Sequence, residues 1–419
     1  MKIAVIGSGI AGLSSAYLLH RDHDIHVFEA DDRIGGHTCT DHFDIAGQSY
    51  HADTGFIVFN ARNYPCFSKL LLEIGAEIEQ TSMSVSVSNP VLGLEYNGGN
   101  LDMLYVQRQN LLRREFHRMV YEILRFNQAA KRVHRTSPPL TCTLGEYLSL
   151  HGYSDWFVRN YLEPMGMAVW SANGQQILDT PLVFFARFFD NHGMLSLFDR
   201  PDWYVIKGGS SRYLPLLTQG FADRIHTQHR VSRLERREAA VRISFEHGTS
   251  EEFDRVIVAT HPDQALRFLA SPTEAEKQVL SAFSYSPTEI VIHTDESLMP
   301  RHRRAWASWN IRLNADANRS ATLTYSMNHL FSMAGQQPLF VTLNGEDSVA
   351  PEKVLKTVTH AHPIYTSGTI EAQSRHSIIN GADRVYYCGA YWGNGFHEDA
   401  VVSAQSVAHL LTDPKGSHS

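Results

Sequence analysis

The strongest constraint on this chain is the order of its first 29 residues. Lys2-Ile-Ala-Val-Ile6 is a short apolar run of strand type. Gly7-Ser8-Gly9-Ile10-Ala11-Gly12 follows directly, and a helical pattern then runs to about His20. A second apolar run, Ile25-His-Val-Phe28, ends on Glu29. Strand, glycine turn, helix, strand and acid in this order predict the opening of a parallel α/β sheet that binds a dinucleotide. Gly7 permits the tight turn out of the first strand. Gly9 leaves room for a pyrophosphate at the helix N-terminus, with Ser8 and Ala11 beside it. Gly12 lets the helix lie close on the sheet. Glu29, 17 residues past Gly12, can accept hydrogen bonds from the two hydroxyls of an adenosine ribose, with Ala30 next to it.

A second glycine pair follows in Arg33-Ile-Gly35-Gly36-His37. An extended dinucleotide needs a second close approach of backbone, and Arg33 can direct charge toward its phosphates. Glu29-x-x-x-Arg33-x-Gly35-Gly36 resembles the FAD-dependent amine oxidase superfamily, which includes monoamine oxidases, protoporphyrinogen oxidases and phytoene desaturases. The resemblance implies FAD as cofactor. His37 stands where that superfamily usually carries arginine.

Later segments continue the resemblance in the same order. Asp53-Thr-Gly55-Phe56 is similar to the segment that runs under the flavin ring. Lys207-Gly-Gly209 is similar to the glycine pair that leads back into the cofactor domain. Val231 falls where relatives contact the adenine, and Ala259-Thr260 resembles the strand end beside the cofactor. Gly389-Ala-Tyr-Trp-Gly-Asn-Gly-Phe396-His397-Glu-Asp399-Ala400 resembles the last flavin segment, a loop leading into a helix N-terminus. The family's acid after the first glycine is Ala390 here. The resemblance makes Phe396 one aromatic cage position. It also makes His397 the candidate catalytic base beside the flavin; a histidine donating to backbone in the helix cap is the other reading. No lysine matches the one amine oxidases use near the flavin, and no cysteine matches their covalent linkage, so the FAD is expected to be non-covalent.

The expected fold class is α/β: a Rossmann-type FAD-binding domain, with a parallel sheet and a β-meander, plus a discontinuous α+β substrate domain carrying a helical insertion. The cofactor domain is expected over 1–65, 200–270 and 376–419, and the substrate domain over 66–199 and 271–375. A length of 419 residues suits two domains. Within 100–200, a basic amphipathic helix is expected from Arg108 to about Arg135, stopped by Pro138-Pro139. Such a helix can lie on a membrane surface or bury one face. Another helix is expected from Phe157 to Trp170, broken near Pro164. Phe184, Phe185, Phe188 and Phe189 put aromatic rings along one helix face, as core or as the wall of an apolar tunnel. Trp306 and Trp309 read as sheet or pocket surface.

Composition excludes several classes. Thirty-seven Lys+Arg against 44 Asp+Glu, with no basic tract, argue against nucleic acid. Arg301-His-Arg-Arg304 reads as a solvated turn. Four scattered cysteines read as reduced and intracellular. Strand character from residue 2 leaves no space for a signal peptide, and no run of about 18 apolar residues offers a membrane span. No metal-ligand spacing is present; His226/His229 and His360/His362 read as surface. The polar tail 413–419 is expected to fray.

The nearest resemblance is to bacterial flavoproteins that accompany cyclopropane-type fatty-acid methyltransferases, carried by Trp306-Ala-Ser-Trp309-Asn and the 389–399 segment. It implies an FAD-dependent oxidoreductase taking hydride from an apolar substrate, a fatty acyl chain or phospholipid. The protein is expected to be cytoplasmic, with peripheral contact at the inner membrane face and a lipid methyltransferase as partner left open. A small-amine oxidase and a non-catalytic flavin-binding partner of a methyltransferase are the alternatives.

Overall fold

The computed structural model describes residues 1–136, 142–170, 174–191, 193–196, 201–314, 321–333, 337–345 and 348–412. Pro138-Pro139 and the tail 413–419 lie outside the described residues. A five-stranded parallel sheet has the order Val385–Tyr387, Arg255–Val258, Lys2–Ile6, Asp24–Phe28, Ile225–His226. Its strands are apolar on both faces because both faces are covered. On one face, helix Ile10–Leu19 packs with helix His397–Thr412. Ala11, Ala16, Ala400 and Ala408 sit in their shared core, where small side chains allow close approach. On the other face lies the expected meander, Val231–Arg236, Val241–Phe245 and Ser250–Phe253, antiparallel throughout.

A second, mixed sheet has seven strands in the order Val354–Ile364, Ser284–His293, Phe340–Leu343, Thr322–Ser326, Trp309–Arg312, Val85–Asn89, Leu94–Asn97. The chain reaches it in two visits, which meet where Trp309–Arg312 pairs in parallel with Val85–Asn89. Buried Asn310 pins that seam. Its side chain accepts from Ser86 Oγ at 2.8 Å and donates to the Ala307 and Thr324 carbonyls. Helices between residues 114 and 191 pack over this sheet, so the substrate-side core joins strands to the insertion.

Two expectations about the insertion change. The basic helix does not start at Arg108. A 3-10 turn, Arg108–Leu112, comes first, Arg113 is extended, and the α-helix is Arg114–Thr136. The cause is Asn110, which is buried and bonded to Gln107, breaking the amphipathic register. Phe116, Met119 and Phe126 then face the core, while Leu111 and Leu112 face out. Near Pro164 the helix does not break. Asp155–Phe157 and Glu163–Trp170 are joined by a π-turn, Val158–Leu162, whose wide spacing accommodates a residue with no N–H to donate.

Candidate active site

The glycine turns build a cradle. Gly7 has φ +102°, and a Cβ there would lie 2.9 Å from the Ala259 carbonyl oxygen, so only glycine fits. Its N–H donates to Phe28 O at 2.8 Å, tying the turn to the second strand. Gly9 differs: a Cβ would meet nothing within 4 Å. Across from it, a Cβ on Gly36 would lie 3.3 Å from Gly9 Cα. The second glycine segment thus closes over the first, and Gly9 opens into free space at the start of its helix. Glu29 accepts from the backbone N–H groups of Ser8 and Asp31, each at 3.0 Å, and from Ser8 Oγ, which holds its carboxylate at the rim.

This cradle is one end of a cavity of about 1590 Å³. A single-ligand pocket holds roughly 300–1,000 Å³, so there is room for a large cofactor and a second molecule. Gly7, Ser8, Gly9, Ala11, Glu29, Ala30, Arg33, Gly35, Gly36 and His37 line it. So do Gly55, Phe56, Val231, Ala259, Thr260, Gly389, Phe396, His397 and Ala400, brought from five separate stretches to one wall. Open space at Gly9, a carboxylate at the second strand's tip and an apolar residue at Val231 fit FAD.

Two residues expected to bind cofactor stand behind the wall. A Cβ on Gly12 would lie 2.0 Å from the Gly7 carbonyl oxygen, so Gly12 serves helix packing. Asp399 accepts from Phe396 N at 2.9 Å and braces the loop into the last helix; burial pushes its carboxyl up to about 6. Glu398 caps a different helix, accepting from Cys66 N and Phe67 N at 3.0 and 2.9 Å.

His397 is a structural histidine, not a base. Its ring stacks on Phe56 with centroids 3.7 Å apart, and Phe67 meets it edge-on. Nε2 lies 3.1 Å from both Thr38 Oγ1 and Tyr213 Oη, which are 2.7 Å from each other. Burial pushes its pKa down to about 3. A base needs a pKa near the working pH; burial holds this imidazole well below it, and Nε2 is already engaged.

Other histidines also line the cavity. His37, His261, His360 and His362 line it together. His37 is 4.8 Å from His360, 5.9 Å from His362 and 6.1 Å from His261, between ring centroids. Burial lowers the pKa of all four, and neighbouring histidine rings add to it at His37, His360 and His362, the last two reaching about 4. Thr54 and Thr288 hydroxyls hold His360 and His362 at 3.2 and 3.0 Å. The surface reading of His360 and His362 is therefore corrected. Their spacing of two on one strand was the signal, since it puts both on one face. His229 also reaches the cavity, and His226 stacks between His26 and Phe28.

The far end of the cavity is apolar. Val85, Val87, Trp309, Tyr325, Leu343 and Val358 face it from the mixed sheet, and Val120, Ile123, Met165 and Val169 from the insertion. Of the four clustered phenylalanines only Phe188 reaches the wall, stacked 5.3 Å from Phe396. Phe185 and Phe189 stack on each other at 4.0 Å in the core, and Phe184 stacks on Tyr365. Core packing thus accounts for most of that cluster. Lys356 is the one lysine on the wall among the described residues. It is 44% exposed and bonded to Asp41, which keeps it at the rim.

A dinucleotide cradle opening into an apolar chamber between two sheets defines an FAD-dependent oxidoreductase. The chain belongs to the flavin-containing amine oxidoreductase family, whose model matches residues 10–349. Comparison with curated proteins returns no match. Among solved structures it is similar to cyclohexylamine oxidase from Brevibacterium oxydans IH-35A, with TM-score 0.71, 14% identity and 98% and 99% of the two chains covered. It is also similar to a putrescine oxidase bound to putrescine (0.70, 13%, 98% of each chain). A third is a CLA-producing fatty acid isomerase from P. acnes (0.69, 13%, 98% and 99%). At these identities the likeness is one of fold. The cofactor is FAD.

Proposed function

We propose that this protein oxidises a long apolar chain, a fatty acyl group either free or within a phospholipid. The observation that carries the proposal is the far lobe of the cavity. The residues that the mixed sheet and the insertion turn to it are predominantly aliphatic, aromatic or thioether, and the one described lysine on the cavity wall, Lys356, is tied to Asp41. A small hydrophilic amine would leave most of that apolar surface unfilled, whereas an acyl chain covers it. When bound, FAD supplies the two-electron acceptor for such an oxidation. The chain's own part is to exclude water with Trp309, Tyr325, Phe188 and Phe396 and to hold the acyl chain against the cradle's inner end. Burial lowers His360 and His362 to about 4, so the histidine group beside Thr54 is no better a base than His397, and its part is to line the wall as neutral rings. We further propose that residues 1–65, 200–270 and 376–419 serve the cofactor and the remainder the substrate. Helix Pro65–Glu73 leans to the cofactor side, because Phe67, Leu70 and Leu71 pack in its core.

The family and two of the structures above favour a second reading, a small-amine oxidase. Anaerobic mixing separates them. Oxidised protein is mixed with unsaturated or methyl-modified phospholipids, with fatty acids, and with primary amines, and the flavin absorbance is followed. Bleaching by a lipid is the expected result. Bleaching by amines alone refutes the acyl-chain proposal. Bleaching by neither class, with FAD bound, favours a non-catalytic partner of a lipid methyltransferase.

A further inference from the structure

The cavity reaches the surface beside residues 98–104. Gly98, Gly99, Asn100, Leu101 and Leu104 line it there, with Leu124 from the following helix. Leu101 is 74% and Leu124 42% exposed, so the same side chains belong to chamber and surface. Next to them, the 3-10 turn Arg108–Leu112 presents Leu111 and Leu112, 51% and 90% exposed.

These leucines are held out rather than left loose. Gln107 accepts from Glu95 N and donates to Gly93 O, both at 2.9 Å, and fully buried Asn110 bonds to Gln107. The turn is therefore anchored from beneath while its apolar tips face water. The turn and the helix after it are basic over their length: residues 101–135 carry eight Lys/Arg against three Asp/Glu, in a chain whose formal net charge is −7, and Arg108, Arg113 and Arg114 flank the two leucines in sequence. Arg108 and Arg304 share Asp102 at the base of the turn, and Arg114 begins the exposed stripe of the helix that continues through Tyr121 to Leu124.

We propose that this face docks on an anionic lipid bilayer, so that the cavity mouth opens into the membrane surface. Projecting leucines flanked by arginines suit the boundary between headgroups and acyl chains, where apolar tips insert and cations meet phosphates. An acyl chain would then pass from bilayer to chamber without crossing water. That use rests on the acyl-chain reading above; the docking itself does not.

The test uses the full, FAD-loaded chain and sedimentation with vesicles of phosphatidylglycerol and phosphatidylcholine (1:1), or of phosphatidylcholine alone. Binding to the anionic vesicles is expected, with loss at high salt. The double variant Leu111→Ser/Leu112→Ser should lower partitioning at least about tenfold, and Arg114→Glu at least about fivefold. Unchanged flavin absorbance in each variant shows that it is folded. No binding of the parent protein to anionic vesicles overturns the proposal. So does equal binding by the leucine variant, or leucine-dependent self-association in sedimentation velocity without vesicle binding. Because flavin reduction is not read, vesicle binding with no lipid oxidation defeats the acyl-chain reading alone.

Discussion

Gly9→Val should separate cofactor binding from folding. Gly9 has φ −64° and ψ 172°, a conformation open to any residue, and its Cβ would touch nothing within 4 Å. The apoprotein should therefore lose at most about 1 kcal/mol, the scale of a poorer N-cap residue. The new isopropyl group would stand in the opening where the pyrophosphate approaches, and FAD binding should be abolished. A ligand at 1,000 times its Kd stabilises its protein by about 4 kcal/mol, and at 100 times by about 2.7 kcal/mol. Urea unfolding of the parent should rise by that scale when FAD is added, while the variant's should not move. Gly12→Ala is the contrast. Its Cβ would lie 2.0 Å from the Gly7 carbonyl oxygen, so the apoprotein itself should lose at least about 3 kcal/mol. The visible flavin spectrum after gel filtration gives occupancy. A Gly9→Val protein that stays yellow, or whose apo form unfolds as early as Gly12→Ala, refutes the cradle.

Glu29→Ala should weaken FAD binding by roughly 1–3 kcal/mol, the usual loss for a charged acceptor; titration of apoprotein with FAD measures it, and an unchanged Kd would remove Glu29 from the ribose. The apoprotein should lose stability in mild acid. His360 and His362 titrate near 4 and His397 near 3 when folded, against 6.5 unfolded, so the unfolded chain binds more protons between these values. The histidines' share of stability is full above about pH 6.5 and falls as the pH drops toward 4, by up to about 3 kcal/mol per histidine, while Asp53 and Asp399, whose burial raises them to about 7 and about 6, act in the opposite sense; a His360→Gln/His362→Gln variant whose urea midpoints fall from pH 7 to 4.5 as steeply as the parent's would contradict this. His397→Ala should cost about 3 kcal/mol by emptying the space against Phe56 and Phe67, and His397→Phe distinctly less, by thermal melting; equal, negligible losses would return His397 to a role outside packing. Arg236→Ala should cost about 3–5 kcal/mol, because buried Glu276 keeps only Tyr387 Oη and Thr273 N as partners, and a loss under 1 kcal/mol in urea unfolding would contradict this.

Local sequence determined the cofactor end of this protein. Gly12 answers the Gly7 carbonyl within one strand–turn–helix unit and Gly36 answers Gly9 a few residues on, and such contacts leave fixed spacings. Glu29, Val231 and the 389–397 loop stand at strand ends that share one cavity wall. Tertiary structure decided the rest. Phe184, Phe185, Phe188 and Phe189 look equivalent along the chain, yet only Phe188 meets the cavity, because the facing helix and Tyr365 claim the others. His37, His261, His360 and His362 come from three distant stretches and acquire their lowered pKa values only through burial in the folded chain. His397 has the right position for a base, but Thr38, Tyr213 and Phe56 close around it. The seam at Asn310 and the mouth at Leu101 likewise depend on strands far apart in sequence lying side by side. Burial and the sharing of one cavity are properties of the packed chain, and no local spacing encodes them.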